Sequence, residues 1–350
     1  TGVKDTAGNN LRSLYQTANG FTSKTWSGTK QFGTAYGDKG HGLTLDSSNN
    51  IYVTGQIAYN TNDYLDIFLN KYDSIGFIQY SRTARSNYSE QGEAVAVDSS
   101  NNIIVTGWYV STSAIGLDGL YSSLGGSDII LIKYNSSGTR QWVKHLGSTS
   151  SERGYGVTTY GTDIYLTGYT MGGLDGSNSG GWDIVLMKVS TDGTLQWTKQ
   201  LGTSSNDSGK SIANDSLNNI YVTGDTEGGL DSNSNSGNSD IFLVKYNSSG
   251  TKQWTHQLGT SANDNAYGVA VDSSDNIYVT GSTSGGLDNN TLVGNSDLFL
   301  VKYNSSGSKQ WTQQYGVYGE SNSGKSLTID SSNNIYIATG NKLLKYNSNG

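Results

Sequence analysis

Ile51-Tyr-Val-Thr-Gly55, Ile103-Ile-Val-Thr-Gly107, Ile164-Tyr-Leu-Thr-Gly168, Ile220-Tyr-Val-Thr-Gly224, Ile277-Tyr-Val-Thr-Gly281 and Ile335-Tyr-Ile-Ala-Thr-Gly340 are six occurrences of one phrase. They begin 52, 61, 56, 57 and 58 residues apart, a period at which a chain builds arrays or propellers from one supersecondary unit. Around each phrase the same sequence of elements returns. In the stretch from Tyr267 to Tyr315, Gly-Val-Ala-Val-Asp272 precedes the phrase, and Asp297-Leu-Phe-Leu-Val-Lys-Tyr303 and Lys309-Gln-Trp-Thr-Gln-Gln-Tyr315 follow it. Each run is short, rich in β-branched and aromatic residues, and bounded by Gly, Asn, Asp or Ser, which reads as four strands.

The joints between runs support this reading. Asp-Ser-Ser-Asn/Asp-Asn recurs at 46–50, 98–102, 272–276 and 330–334, and Asn-Ser-Ser-Gly at 135–138, 247–250 and 304–307. In such turns Asn and Gly tolerate positive φ, and Asp and Ser side chains bond nearby backbone. A four-stranded antiparallel sheet repeated around an axis is a propeller blade, and stacked neighbours cover both of its faces. The expectation is an all-β propeller of six blades, with seven as the alternative, occupying residues 24–350. Its last blade lacks a fourth strand, and Thr25-Trp-Ser-Gly-Thr-Lys-Gln-Phe-Gly33 is the segment expected to supply it and close the ring, removing two open sheet edges.

The chain of 350 residues has a formal net charge of −7 and no cysteine. A nucleic-acid partner, which needs clustered Lys and Arg, is therefore not expected, and neither is a disulfide or thiolate site. No apolar run is long enough to span a membrane, so no membrane insertion is expected.

With its valine-aspartate turn, Tyr-Val-Thr-Gly strand, Lys-Tyr strand and tryptophan strand, the chain resembles the bacterial family named for its seven-bladed β-propeller repeat, the SBBP type, over roughly residues 24–350. The resemblance implies the fold and leaves function open. Residues 1–23, with Thr1-Gly-Val-Lys-Asp-Thr-Ala-Gly-Asn-Asn-Leu11 and Phe21-Thr-Ser, resemble the tail of a bacterial immunoglobulin-like domain or linker. A degenerate first and second strand is the other reading of this stretch. The former implies covalently linked immunoglobulin-like domains and an extracytoplasmic setting, on the bacterial cell surface or secreted.

Function is expected where variable loops sit on the rigid scaffold. These join second to third strands: Trp108 to Ser127, Tyr169 to Trp182, Asp225 to Ser239 and Ser282 to Ser296. Trp108, Tyr109, Trp182 and Asp225 are the candidate ligand-binding residues. Trp108 and Trp182 do not recur in phase, unlike Trp142, Trp197, Trp254 and Trp311, whose fixed position implies packing between blades. Four loops carry Gly-Leu-Asp, at Asp118, Asp175, Asp231 and Asp288, followed by the third-strand aspartates Asp128, Asp183, Asp240 and Asp297. Hard oxygen ligands of this kind suit calcium, with Asn233 and Asn235 completing the nearest approach to a calcium loop. The competing reading is a self-bonded turn.

Two other motifs carry less. Gly319-Glu-Ser-Asn-Ser-Gly324-Lys325-Ser326 fits the phosphate-loop pattern, but its mechanism needs a following helix, and here Gly-Lys-Ser opens a first strand, as Gly209-Lys-Ser211 does. His41, His145 and His256 fall in separate units and assemble no triad. The expectation is a non-enzymatic interaction module that binds a protein or glycan on its loop-rich face, without cofactor unless calcium. A spacer with no ligand is the first alternative, and a carbohydrate-active enzyme with carboxylates at the pore mouth the second.

Overall fold

Each repeat phrase forms the second strand of an antiparallel sheet in the computed structural model, which describes residues 31–59, 64–86, 88–110, 124–340 and 342–350. Blade 1 comprises β1 (Lys39–Leu45), β2 (Ile51–Ile57), β3 (Asp66–Tyr72) and β4 (Ile78–Ala84). Blade 2 comprises β5 (Glu90–Val97), β6 (Ile103–Val110), β7 (Ser127–Tyr134) and β8 (Arg140–Leu146). Blade 3 follows with β9 (Glu152–Tyr160), β10 (Asp163–Thr170), β11 (Asp183–Val189) and β12 (Leu195–Leu201), and blade 4 with β13 (Asp207–Asn214), β14 (Ile220–Thr226), β15 (Asp240–Tyr246) and β16 (Lys252–Leu258). Blade 5 is β17 (Asp264–Val271), β18 (Ile277–Thr283), β19 (Asp297–Tyr303) and β20 (Lys309–Tyr315), and blade 6 is β21 (Ser326–Ile329), β22 (Ile335–Ala338) and β23 (Leu343–Tyr346). Within each blade the strands hydrogen-bond in chain order. The molecule is an all-β, six-bladed propeller.

The immunoglobulin-like reading of residues 1–23 falls outside the described residues, as does most of the expected closing strand. Of that strand only Gln31, Phe32 and Gly33 are described, and they are not in a strand. The Phe32 ring nevertheless sits 5.3 Å from that of Phe68 in blade 1. This matches the packing of the fourth-strand residue Leu201 against the cluster containing Phe242 of the next blade.

Apolar residues from adjacent blades share each core. Tyr221 and Leu243 of blade 4 pack with Val279, Phe299 and Val301 of blade 5, all buried. The recurring tryptophans also serve these interfaces. Trp142, Trp197 and Trp254 lie against the turn glycines of the following blade, Gly193, Gly250 and Gly307, whose positive φ only glycine adopts without strain. The first-to-second turns are held by their aspartates. Asp272 accepts the backbone N–H of Ser274 and Asn276, each at 2.9 Å, and the Tyr278 hydroxyl at 3.0 Å. Lys302 lies over the Tyr278 ring and donates to the carbonyl of Ser348 in the next blade's turn at 2.9 Å. Valine-aspartate, tyrosine and lysine of the repeat thus form one network at the end of the ring opposite the variable loops.

A bulge in the first strand positions the rest. In blade 4, Gly209 pairs with Gly224 and Ser211 with Thr223, so Lys210 has no partner across the ladder. The same irregularity leaves His41, Glu93, Tyr155 and Tyr267 unpaired in β1, β5, β9 and β17. A bulge bends its strand and re-aims the side chain at the extra residue. It also pushes the backbone against the repeat's glycine: a β-carbon on Gly224 would stand 1.9 Å from the Ser208 carbonyl oxygen, and one on Gly107 1.8 Å from that of Gln91. No side chain fits there. Gly224→Ala is therefore expected to destabilise the protein by about 3 kcal/mol, through overpacking that the rigid sheet cannot relieve, as measured by urea denaturation. Wild-type stability in that variant would contradict the close approach.

Candidate functional site

The six first strands surround the axis, and the bulge residues turn into the channel between them. His41, Glu93, Tyr155, Lys210, Tyr267 and Lys325 line a cavity of about 490 Å³, one residue from each blade. Lys325 takes the equivalent position in blade 6, immediately before β21, where the ladder runs without a register shift. Neighbours along this ring touch. His41 Nδ1 lies 3.8 Å from Glu93 Oε2, Lys210 Nζ sits 4.4 Å from the Tyr155 ring centroid, and Lys325 Nζ sits 4.4 Å from that of Tyr267. Cation–ring contacts of this kind contribute about 0.5–2 kcal/mol each, more as water is excluded.

The next position along each second strand, directly after the repeat's glycine, adds the upper rim. Trp108 Nε1 donates to Glu93 Oε1 at 3.2 Å, and the Arg153 guanidinium covers the Trp108 ring at 4.1 Å. Asp225 Oδ1 lies 3.8 Å from Lys210 Nζ. Burial raises the pKa of both acids, against the pull of His41, Trp108, Arg153 and Lys210 on Glu93 and of Lys210 on Asp225. Tyr155 is raised to about 12, again by burial first. Trp182 stacks on Tyr169 at 4.8 Å and 19°, and Tyr169 contacts Tyr155 at 5.9 Å, so an aromatic path runs from the loop face to the channel.

Trp108 and Asp225 thus stand at the channel mouth, and Trp182 is linked to it through Tyr169. Tyr109 is not at the mouth. Strand alternation turns it away from the channel, and it is fully buried between blades 1 and 2, with its hydroxyl 3.1 Å from both Asp128 Oδ2 and His145 Nδ1. No ligand at the mouth reaches it.

The calcium expectation also meets a different arrangement. Asp118 lies outside the described residues. Asp231 and Asp288 sit at φ 50 in short 3-10 turns, each ion-paired with a fourth-strand lysine, Lys252 or Lys309, and bonded to the hydroxyl of Thr255 or Thr312. Asp175 faces Lys199 at 3.7 Å. Asn233 donates to the Leu230 carbonyl at 2.7 Å, and Asn235 accepts the N–H of Gly237 at 3.1 Å. Asp128, Asp183, Asp240 and Asp297 are fully buried and accept backbone N–H groups from Leu124, Ser179, Ser236 and Val293. In the last three, a side-chain amide from Gln200, Gln257 or Gln314 joins. In the three described loops the two carboxylates belong to separate networks, and among the described residues no three His, Asp or Glu converge on a metal position. In these three loops the described carboxylates are taken up by lysine, hydroxyl, amide and backbone partners in place of a calcium ion.

The third-strand aspartates lie beside the acids of the blade junctions. The acid that opens each following first strand, Glu90, Glu152, Asp207 or Asp264, is fully buried and clamps the linker before it. Asp264, for example, accepts the N–H and hydroxyl of Thr260 at 2.6 and 2.8 Å. Each also feels the third-strand aspartate of the preceding blade, as Asp207 feels Asp183 and Asp264 feels Asp240.

Known proteins bear on this architecture. The stretches 28–57, 196–231, 253–288 and 310–338 match the family model described as SBBP, beta-propeller repeat. These stretches make up less than half of the chain, and in them it is similar to that repeat. The matches at 196–231, 253–288 and 310–338 each run from a fourth strand across the blade junction and through the following first strand, so the junction is part of the repeat signature. An uncharacterized WD repeat-containing protein of Acanthamoeba polyphaga mimivirus is 30% identical over 188 residues, covering 43% of this chain and 14% of that protein. The regulatory protein FlaEY of Caulobacter vibrioides is 28% identical over 156 residues, covering 41% of this chain and 16% of that protein. The chain thus matches about one seventh of the length of these curated relatives. Among solved structures, an alpha-L-arabinofuranosidase from Fusarium graminearum superposes with TM-score 0.57 at 11% identity, covering 91% of this chain and 93% of that one. That likeness shows the fold alone.

Sequence reading missed the bulge ring, although a signal was present. The residue after the glycine or alanine at the start of each first strand (Gly40, Gly92, Gly154, Gly209, Ala266, Gly324) changes chemistry at a fixed phase.

The junction acids predict a pH dependence. Glu90 is raised to about 8 by burial and then by the charge of Asp66, with Ser86 opposing. Its contribution to stability is complete below the unfolded value near 4.5 and is lost as pH rises towards 8. His145, lowered to about 4 by burial, works in the opposite sense below pH 6.5, so the clean window is pH 6.5–8. There the melting temperature should fall with pH, at most about 1.4 kcal/mol per pH unit for one proton. Glu90→Gln should flatten the slope, and an unchanged slope would remove Glu90 as its source.

Proposed function

We propose that the protein is a non-enzymatic interaction module whose loop-rich face, centred on the channel mouth, binds a partner protein or glycan. The observation that carries this reading is the contrast between positions. Turn aspartates, strand tyrosines, lysines and junction glycines recur from blade to blade, whereas the six channel positions hold His, Glu, Tyr, Lys, Tyr and Lys. A spacer has no need of a charged, aromatic ring on a scaffold otherwise built by repetition; a recognition surface does. The WD repeat-containing relative is in keeping with an interaction role. The resemblance of residues 1–23 to an immunoglobulin-like tail supports placing the module on a bacterial surface or in a secreted protein. Among the described residues, no helix is long and apolar enough to cross a membrane.

One observation favours a second reading. Glu93 and Asp225 are both mouth carboxylates whose pKa burial raises, as an acid catalyst acting on a glycosidic bond requires.

Glycan and peptide arrays probed with the wild type and with a Trp108→Ser, Lys210→Ser, Asp225→Ser variant separate these accounts. Binding should fall at least tenfold in the variant, with circular dichroism confirming that it folds, while Lys252→Ser, remote from the channel, should bind as wild type. Equal binding by wild type and triple variant would defeat the proposal. Turnover of an array glycan that Glu93→Gln abolishes would put the enzyme in its place.

A further inference from the structure

The channel opens sideways, between blades 5 and 6, into a cleft of about 560 Å³ that shares Tyr267 and Lys325 with it. Its far wall is the phosphate-loop-like segment, 319–326. The strand β21 follows this segment where a nucleotide site would need a helix. Backbone bonds hold the segment in place: Asn322 N–H donates to the Ser296 carbonyl at 2.8 Å, and the buried Asn322 side chain accepts the Val317 N–H at 2.9 Å.

We infer that this cleft receives a uronic acid residue of an acidic polysaccharide. The inference rests on the proposal that the loop-rich face is the binding face, and gives it a ligand class.

Three features of the cleft point to this chemistry. Lys325 is exposed at the mouth and lies over Tyr267, and it has no carboxylate partner among the described residues. By contrast, Lys210 is held by Asp225, and the cleft's own acid, Glu320, is engaged by Lys342 at 2.9 Å. A cation left in this state beside a cavity is a receptor for an anion. Secondly, Ser323 lies in the cleft wall with its Oγ buried and without a hydrogen-bond partner, so a turn of its side chain towards the cleft would offer the hydroxyl to a ligand without breaking a bond. Thirdly, besides Lys325, Glu320 and Gly340 the lining is Ser282, Ser296, Ser321, Asn322, Ser323 and Thr339 with one aromatic ring, Tyr267. Hydroxyls around a single ring face suit a sugar, whose C–H face covers the ring while its hydroxyls bond the serines. An apolar peptide side chain would find too little apolar wall. Carboxylate on Lys325, pyranose face on Tyr267 and ring hydroxyls on Ser321 and Ser323 together describe a uronate.

The test is calorimetric titration of the protein with trigalacturonic acid, and with maltotriose as a neutral sugar of equal length. Trigalacturonic acid should bind and maltotriose should bind at least tenfold more weakly, with the difference shrinking as salt screens the lysine. Lys325→Met should weaken trigalacturonate binding at least tenfold, Lys325→Arg should largely restore it, and Lys199→Met on blade 3 should leave it unchanged. Equal affinity for the two sugars, or indifference to Lys325→Met in a variant of wild-type melting temperature, would overturn the inference. Failure of trigalacturonate to bind at all would overturn it too. The broader proposal would then still stand or fall on the array comparison, which does not involve Lys325.

Discussion

The contact on which this propeller depends is the close approach, in blades 1 to 5, of the bulged first strand to the glycine that ends the repeat phrase. In blade 3, a β-carbon on Gly168 would lie 1.8 Å from the Arg153 carbonyl oxygen, so any larger residue would force the two strands apart. The glycine is the condition for the bulge, and the bulge is the condition for a side chain facing the axis. Beside it, the threonine of the phrase bonds the third strand, as Thr167 does with the Val185 carbonyl at 2.8 Å, and leaves room only for a glycine from the next blade, Gly209. One dipeptide, Thr-Gly, thus fixes the second strand, its bulged neighbour and the distance to the following blade.

This economy divides the molecule by function. At the end carrying the short turns, aspartate, tyrosine, lysine and tryptophan repeat because each satisfies a partner that also repeats. At the junctions, buried acids fasten the linkers and accept a cost in charge burial for doing so. Only the axis and the loop face escape these constraints. Chemistry varies there because packing does not dictate it, and six unlike side chains are gathered into one channel by a scaffold that treats them alike.

Much of this was legible in the sequence. The strands, the turns and the blade count follow from the period and from the polar joints. The phase of the tryptophans correctly implied packing between blades. What sequence could not show is a matter of parity and of long-range pairing. Trp108 and Tyr109 are adjacent in the chain, yet alternation sends the first to the channel and the second into the core, and the bulge in the neighbouring first strand, at Glu93, inserts a residue without interrupting the apolar pattern. The Gly-Leu-Asp loops look like cation ligands until the fourth strand returns, some twenty residues later, with Lys252 or Lys309 to take the charge. The ring itself was hidden because its members share a position and differ in type.

The most direct test of the bulge-aimed ring uses the absence of cysteine from the chain, which lets introduced thiols carry labels uniquely. Spin labels placed in pairs at positions 41 and 210, 93 and 267, and 155 and 325 would join opposite blades across the axis. Pulsed electron paramagnetic resonance should return three short and mutually similar distances. Long or widely differing distances would mean that these side chains do not share a channel, and the account would fail at its centre.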